Sequence, residues 1–145
     1  MNTATAAAQD IPALVLTTIE IPPLGARWPG QGGTLEALMK GEDGTPDYLL
    51  ILHEQHADDA DWKTQVEWAA GIDVDGHKDF TLPNRRELNA LSANAKDKFN
   101  NNWYWSSEPS GSDYAWFQTF YDGGQDWDHQ SVSYRACAVR RVPIR

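Results

Sequence analysis

The spacing of hydrophobic residues predicts strands in the first part of the chain. Residues 14–21, 34–39 and 47–52 are short apolar runs of the length and composition typical of β-strands. Pro22 and Pro23 end the first run, because proline cannot donate to a sheet ladder and forces extended backbone before it. The second and third runs flank KGEDGTP, whose Asp-Gly and Pro are typical of a turn, so they predict a hairpin.

The middle of the chain changes to helical spacing. A first helix is predicted over residues 61–70. Its apolar positions are Trp62, Val66, Ala69 and Ala70. Asp58 or Asp59 is the expected N-cap, since a side-chain oxygen there accepts from a free backbone N–H, and Gly71 is the expected end.

A second helix is predicted over residues 84–96. Pro83 stands at its start, where proline is tolerated because its missing N–H would have no partner in the helix. Leu88, Leu91 and Ala95 share one side of this helix and are expected to be buried.

The last third of the chain returns to strand-like segments, the early ones separated by the short turns SGS and DGG. The candidates are residues 103–107, 114–121, 125–129 and 133–142. Strands, two helices and then antiparallel strands predict a single α+β domain. Residues 1–26 are expected to form an N-terminal arm and first strand, and residues 27–145 the domain itself.

The net charge of −9 limits the kinds of partner that the protein can bind. A protein that binds nucleic acid by neutralising phosphates carries excess positive charge, so we expect no direct nucleic-acid binding. The acids are uneven, with Asp58, Asp59 and Asp61 close together in sequence. This charge leaves room for a cationic partner.

Cys137 is the single cysteine, which rules out an intrachain disulfide. It stands in an apolar alternation and is predicted to be a small buried residue in a chain that folds in a reducing cytoplasm. The N-terminal apolar run follows Asp10 and lacks a basic segment, so no secretory signal peptide is expected. No apolar run reaches the length of a membrane span.

The sequence lacks the common catalytic motifs. It contains no G-x-S-x-G, H-E-x-x-H, P-loop or G-x-G-x-x-G pattern. His53 and His56 form an H-x-x-H pair without the further ligands that zinc requires. We therefore expect no enzyme, no catalytic residue, no cofactor and no metal site.

Six segments, taken in order, resemble the Lcl C-terminal domain family. They are WPGQGG, PDYLLIL, LPNRREL, WYWSS, YAWFQTFYDGGQ and RACAVRRV, and together they span roughly residues 28–142. This is a domain-of-unknown-function family of phage, prophage and bacterial surface proteins. The resemblance implies a C-type-lectin-like fold, with two helices packed on a twisted antiparallel sheet, and a role in adhesion or phage structure. It implies neither an enzyme nor a particular ligand.

The resemblance also assigns the faces of the aromatic strand over residues 114–121. Strand alternation puts Trp116 and Phe120 on one face, and the family pattern AW-x-Q-x-F places that face in the core. The other face then points outward and continues around the DGG turn. The predicted ligand-binding residues are Phe117, Thr119, Tyr121, Asp122, Asp126, Trp127 and Asp128. Aromatic residues beside small polar ones are typical of rigid binding surfaces.

Two charged sets give weaker alternatives. Lectins of this fold often bind calcium, but the acids in the relevant loops do not complete a set of six to eight oxygens. These acids are Glu108, Asp113, Asp126 and Asp128. The arginines of the second set either form an anion site or pair with the excess acids. They are Arg85, Arg86, Arg140 and Arg141.

The leading functional prediction is a non-enzymatic phage or prophage structural protein with a lectin-like binding face. Its expected partners are a host-surface glycan or protein, or other phage structural proteins, and it is expected to be a homo-oligomer. It would be made in the host cytoplasm and become part of the virion, for example at a tail fibre, without inserting into a membrane. One alternative is a small acidic inhibitor of a host nuclease or defence complex, whose carboxylates imitate phosphates. Another is a bacterial surface adhesin module.

Overall fold

The computed structural model describes residues 20–144 and gives them nine strands, two α-helices and a short 3-10 helix. The strands are β1 Arg27–Trp28, β2 Gly33–Met39, β3 Tyr48–Leu52, β4 Ala57–Ala60, β5 Trp103–Ser110, β6 Tyr114–Thr119, β7 Gln125–His129, β8 Tyr134–Ala136 and β9 Val139–Pro143. The helices are α1 Trp62–Ala70, α2 Arg85–Asn94 and the 3-10 helix Lys96–Lys98. The predicted strand over residues 14–21 lies outside the described residues except for Glu20 and Ile21, which belong to no strand.

The strands form two sheets. One has the order β1-β2-β3-β9 and is antiparallel throughout, and its β2–β3 pair is the predicted hairpin. The other has the order β4-β8-β5-β6-β7 and is mixed, because β8 pairs in parallel with β5 between Tyr104 and Arg135. The α+β class is confirmed, whereas the expectation of one antiparallel sheet is wrong.

The predicted strand over residues 133–142 is divided between the two sheets. Its first part is β8 and its second part is β9, with Cys137 and Ala138 between them. Both residues are fully buried, and the carbonyl of Ala138 accepts from the backbone N–H of His53 at 2.9 Å. The apolar pattern has no polar break here because the chain passes from one sheet to the other inside the core. Burial also raises the pKa of the Cys137 thiol, as expected for a buried thiol.

The N-cap of helix α1 lies two or three residues after the predicted caps. Asp61 is the N-cap, and its carboxylate accepts from the backbone N–H of Thr64 at 2.8 Å. Asp58 and Asp59, the predicted caps, lie in β4 because that segment pairs with β8. The helix ends at Gly71 as predicted.

The buried side of α1 follows its apolar positions only in part. Gln65 and Ala69 are buried, whereas Val66 is 37% exposed and Ala70 is exposed. A buried glutamine is stable here because its amide donates to the carbonyls of Asp58 and Tyr134, at 2.7 and 2.9 Å. Hydrophobic spacing alone therefore finds this helix and its buried Ala69 but not the buried Gln65.

Helix α2 agrees closely with its prediction. Asn84 is the N-cap and forms a capping box with Glu87, so each side chain binds the other's backbone N–H. Leu88, Leu91 and Ala95 are buried. Glu87 also binds Arg141 of β9 through two hydrogen bonds of 2.7 Å, which ties the helix to the first sheet.

Both faces of the β5–β6 hairpin are covered. One face packs in a cluster with α2, whose aromatic members are Phe99, Tyr104 and Phe120. The opposite face packs against α1 and the segment before α2, in a cluster whose aromatic members are Phe80, Trp105 and Phe117. Tyr104 and Trp105 are neighbours in sequence, and both are 0% exposed.

The two covered faces correct the predicted orientation of the aromatic strand. Phe117 is 6% exposed, so the prediction that it points outward is wrong, and Thr119 is partly buried. Phe120 is buried and Tyr121 is 71% exposed, as predicted. Trp116, predicted to lie in the core, is only partly buried. Alternation assigns residues to faces, but it does not tell which faces are covered.

Candidate functional site

The register of β5, β6 and β7 sorts their side chains into two faces. The Trp116 face contains Tyr114, Trp116, Gln118, Gln125, Trp127 and His129. The Trp103 face contains Trp103, Trp105, Ala115, Phe117, Thr119, Asp126 and Asp128. Residues directly opposite in an antiparallel pair share a face, which fixes this division.

The predicted ligand-binding residues do not form one patch. Four of them lie on the Trp103 face, and Trp127 lies on the opposite side of the sheet. Those four are Phe117, Thr119, Asp126 and Asp128. Tyr121 and Asp122 lie in the turn between β6 and β7. The prediction placed three consecutive residues of β7 on one surface, whereas the alternation of side chains along a strand puts Trp127 on the opposite face from Asp126 and Asp128.

Asp122 shapes the turn that presents Tyr121. Its carboxylate accepts from the backbone N–H of Gly124 at 2.9 Å and from the hydroxyl of Thr119 at 3.1 Å, and these bonds lower its pKa. Gly123 has a φ of 80°, which favours glycine. The turn is therefore ordered by its own side chains, and the exposed ring of Tyr121 lies at its tip.

On the Trp116 face, an arginine from α2 covers a tryptophan of β6. The guanidinium carbon of Arg85 lies 3.5 Å from the ring centroid of Trp116, which is a close cation–π contact. Trp127 of β7 meets Trp116 edge-on, with 5.0 Å between ring centroids, and is 51% exposed. Together Arg85, Trp116 and Trp127 form a ledge, here called the Trp116 ledge.

Hydrogen bonds hold the Trp116 ledge in place. Arg85 Nε donates to Gln125 Oε1 at 3.0 Å, while Gln125 Nε2 donates to the Arg85 carbonyl at 2.8 Å and to Gln118 Oε1 at 2.6 Å. The backbone N–H of Arg85 donates to Glu108 at 2.8 Å. Among the described residues, the terminal nitrogens of Arg85 have no hydrogen-bond partner, and neither has the buried Nε2 of Gln118. The ledge thus presents the guanidinium donors of Arg85 beside two indole rings, whereas Gln118 Nε2 is inaccessible to a ligand.

The four arginines that were predicted to form an anion site or to pair with acids do not share one role. Arg140 pairs with Asp79 at 2.9 Å, Arg141 with Glu87, and Arg86 with Glu42 at 3.1 Å. These three follow the prediction that arginines pair with the excess acids. Arg85 instead stacks on Trp116, a contact between distant parts of the chain that sequence spacing gives no sign of.

The Trp103 face carries a second aromatic group. Trp103 stacks on Phe117 with 5.2 Å between centroids and an angle of 14°, and meets Tyr134 of β8 at 5.2 Å and 60°. The Tyr134 hydroxyl donates to Asp128 at 2.6 Å. Burial, together with this bond and the charges of Asp128 and Asp126, raises the pKa of Tyr134 well above its usual value. Trp103 and Tyr134 were not among the predicted ligand-binding residues.

His53 and His56 pack against aromatic residues of the core. His53 meets the ring of Phe80 edge-on at 5.5 Å, and His56 lies 4.6 Å from Phe99 between centroids. Burial, with His53 and Arg135 nearby, lowers the pKa of His56 to about 4.

Between residues 20 and 144, no three His, Cys, Asp or Glu side chains are grouped so that they could hold a metal ion. In the same residues, no helix is long and apolar enough to cross a membrane.

The sequence matches a protein-family model over most of its length. The model of the Lcl C-terminal domain matches residues 34–140, which run from β2 into β9. The chain belongs to the Lcl C-terminal domain family. The matched part of this Lcl C-terminal domain includes both helices and both faces described above, and the resemblance seen in the sequence is confirmed. No curated protein matches the chain.

Proposed function

We propose that this Lcl C-terminal domain is a non-enzymatic phage or prophage structural protein with a C-type-lectin-like fold. It binds a host-surface glycan or protein through the Trp116 ledge and the neighbouring Tyr121 turn. The observation that carries the proposal is the half-exposed indole of Trp127. This ring packs against Trp116, which is in turn covered by the guanidinium of Arg85.

Preorganisation supports binding at the ledge. Trp127 lies on a strand, its neighbour Trp116 is covered by Arg85, and Gln125 anchors Arg85 at both its side chain and its backbone. A side chain held in this way loses little entropy when a ligand arrives. Tryptophan and arginine are also the residues that most often dominate binding energy at interfaces.

The chemistry of the ledge suits a ligand with both apolar and polar faces. An indole offers a flat apolar surface, and the terminal nitrogens of Arg85 offer hydrogen-bond donors beside it. A pyranose ring or a protein loop combines C–H surfaces with hydroxyl or carbonyl acceptors. These features favour recognition, and no covalent or proton-transfer step is needed.

The domain would act as a symmetric homo-oligomer attached to the virion, for example at a tail fibre. Identical copies bring several ledges to one host surface, and multivalency then strengthens weak individual contacts. Other phage structural proteins are further partners in this proposal. A bacterial surface adhesin module would use the same ledge but would be found on the cell rather than on the particle.

A cell-binding experiment tests the proposal. Purified wild type and a double variant, Tyr121→Ala with Trp127→Ala, are incubated with cells of the bacterium that carries the gene. Both side chains are exposed, so the double variant is expected to keep its fold by circular dichroism and to lose attachment. Undiminished attachment of the folded double variant would overturn the proposed site.

The second candidate function is an acidic inhibitor of a host nuclease or defence complex. The observation that favours it is a group of three acids near Tyr134. Asp126 and Asp128 lie on the Trp103 face, where their charges help to raise the pKa of Tyr134. Asp59 is exposed and lines the same cleft as Tyr134. In that case Asp126→Asn with Asp128→Asn would abolish binding to the host enzyme. Trp127→Ala would leave that binding unchanged.

A further inference from the structure

A polar cleft opens on the Trp103 face, away from the Trp116 ledge. Its volume is about 270 Å³. The lining residues are Asp59, Asn101, Asn102, Trp103, Ser133 and Tyr134. We call it the Trp103 cleft.

The aromatic wall of the cleft is fixed in position. Phe117 lies against the Trp103 ring at 14° and Tyr134 meets it at 60°, so the indole is held by two neighbours. Trp103 is nevertheless 45% exposed. An indole that is held in this way and still accessible is a suitable surface for a flat cation, which is attracted to the electron-rich face of the ring.

The charges around the cleft are negative. Asp59 lines it and is exposed, and Asp128 accepts from the Tyr134 hydroxyl at 2.6 Å. The negative charge of Asp126 also contributes to the raised pKa of Tyr134. None of the lining residues is a lysine or an arginine. An anionic ligand would therefore be repelled, and a cationic one attracted.

Arg135 is the basic residue nearest in sequence, and its charge is offset by an acid. It follows Tyr134 in β8, so its side chain projects from the opposite side of the strand. Its Nε donates to the side-chain oxygen of Asn102, a residue that lines the cleft, at 2.7 Å, and its Nη1 lies 3.6 Å from the carboxylate of Asp58. The positive charge of Arg135 therefore lies beside the cleft, where Asp58 offsets it, and the remaining acids keep the surroundings of the cleft negative.

We propose that the Trp103 cleft binds the guanidinium group of an arginine on a protein partner. The planar guanidinium would lie on the Trp103 indole and donate to the Asp59 carboxylate. Asn101 and Ser133 also line the cleft, and their side chains carry oxygens that can accept hydrogen bonds. A quaternary ammonium group has no N–H to give them, which favours guanidinium. This site goes beyond the proposed function, because it lies on the opposite face of the sheet from the Trp116 ledge.

The test is an NMR titration with a short peptide. The probe is acetyl-Gly-Arg-Gly-amide, and the matched control replaces arginine with citrulline, which keeps the shape and removes the charge. The Trp103 indole N–H signal is assigned with the Trp103→Phe variant. The arginine peptide is expected to shift this signal saturably, with a dissociation constant of about 1 mM, and the citrulline peptide to bind about 10-fold more weakly.

An Asp59→Asn variant is the second arm of the test. Its side chain is exposed in the wild type, so the fold is expected to be unchanged. The arginine peptide should bind this variant about 5-fold more weakly, and added salt should reduce the difference. The proposal is overturned if the Trp103 signal does not shift up to about 20 mM peptide, a range that covers weak single-residue affinities. It is also overturned if citrulline binds as well as arginine, or if Asp59→Asn binds like the wild type.

Discussion

The indoles of Trp116 and Trp127 stand edge-to-face across the β6–β7 pair, with 5.0 Å between ring centroids and 68° between ring planes. Tilted aromatic pairs of this kind are more favourable than face-to-face stacks. Trp116 is in turn covered by Arg85. The orientation of the exposed Trp127 ring is therefore set by a strand register and a helix contact, which makes it a rigid surface group.

Arg85 is predicted to stabilise the ledge through its contact with Trp116. Arg85→Ala should lower the free energy of unfolding by about 0.5–2 kcal/mol, the range measured for cation–π contacts. Arg85→Lys should lower it less, because the charge stays while the bond from Nε to Gln125 is lost. Urea unfolding followed by tryptophan fluorescence measures both. Equal stability of wild type and Arg85→Ala would mean that the contact does not hold the ledge.

Phe117 and Tyr121 are predicted to behave oppositely in unfolding experiments. Phe117 is 6% exposed and packs among aromatic rings, so Phe117→Ala should cost about 3–5 kcal/mol. Tyr121 is 71% exposed, and Tyr121→Ala should cost less than about 0.5 kcal/mol, as is usual for surface substitutions. Urea midpoints of the two variants provide the comparison. A more damaging change at Tyr121 than at Phe117 would contradict the register of β6.

This pair shows where sequence reasoning succeeds and where it stops. The strand of Phe117 and the exposed turn of Tyr121 both follow from local pattern and from the Gly-Gly turn. The burial of Phe117 depends on Trp103 and Tyr134, which come from other strands. Alternation contains no information about such neighbours, so it fixes which residues share a face but leaves open whether that face is covered.

The same limit applies to the ion pairs and to the candidate site. The capping box of α2 is local, and Asn84 and Glu87 have the spacing expected of it. The contacts of Glu87 with Arg141 and of Arg85 with Trp116 join residues far apart in sequence. The sequence indicated that arginines pair with acids, but it gave no means of choosing the one that stacks on a ring.

Glu87 is predicted to be the most sensitive polar residue in the core. It is 0% exposed and accepts from both Arg141 and Tyr48. Glu87→Gln leaves the arginine without its counter-charge, but the Arg141 side chain is 31% exposed, so the change should cost about 1.5–3 kcal/mol, the usual contribution of hydrogen bonds to charged groups. Tyr48→Phe removes one hydrogen bond and should cost about 1 kcal/mol. Thermal unfolding of both variants at neutral pH measures the difference. A cost for Glu87→Gln no larger than that for Tyr48→Phe would show that the pair contributes little.

His56 is predicted to make stability depend on pH. Its pKa is about 4 in the folded protein and 6.5 in a free side chain. Between these values the unfolded chain binds more protons, so the free energy of unfolding falls as pH is lowered from about 6.5 to about 4, by roughly 1–3 kcal/mol. His56→Phe keeps a ring against Phe99 and should remove most of this dependence above pH about 5, where free carboxylates stay ionised. Urea unfolding at a series of pH values compares the two. An equal loss of stability in wild type and variant would contradict the assignment to His56.

Trp127 is predicted to provide most of the binding energy at the ledge. Trp127→Ala removes an exposed side chain, so it should unfold within about 1 kcal/mol of the wild type yet bind at least about 10-fold more weakly, since a dominant interface residue contributes about 2 kcal/mol or more. The matched control is Leu38→Ala. Leu38 is a 63% exposed apolar residue of the other sheet, and its removal tests whether general surface hydrophobicity causes attachment.

The most direct test of binding through the ledge is a competition experiment on intact host cells. Fluorescently labelled wild type is displaced by unlabelled wild type, Trp127→Ala or Leu38→Ala, and the concentration for half displacement is measured. The expected result is an increase of at least about 10-fold for Trp127→Ala and no change for Leu38→Ala. Displacement by Trp127→Ala at the same concentration as by the wild type would contradict the central claim that this domain binds its partner through the Trp116 ledge.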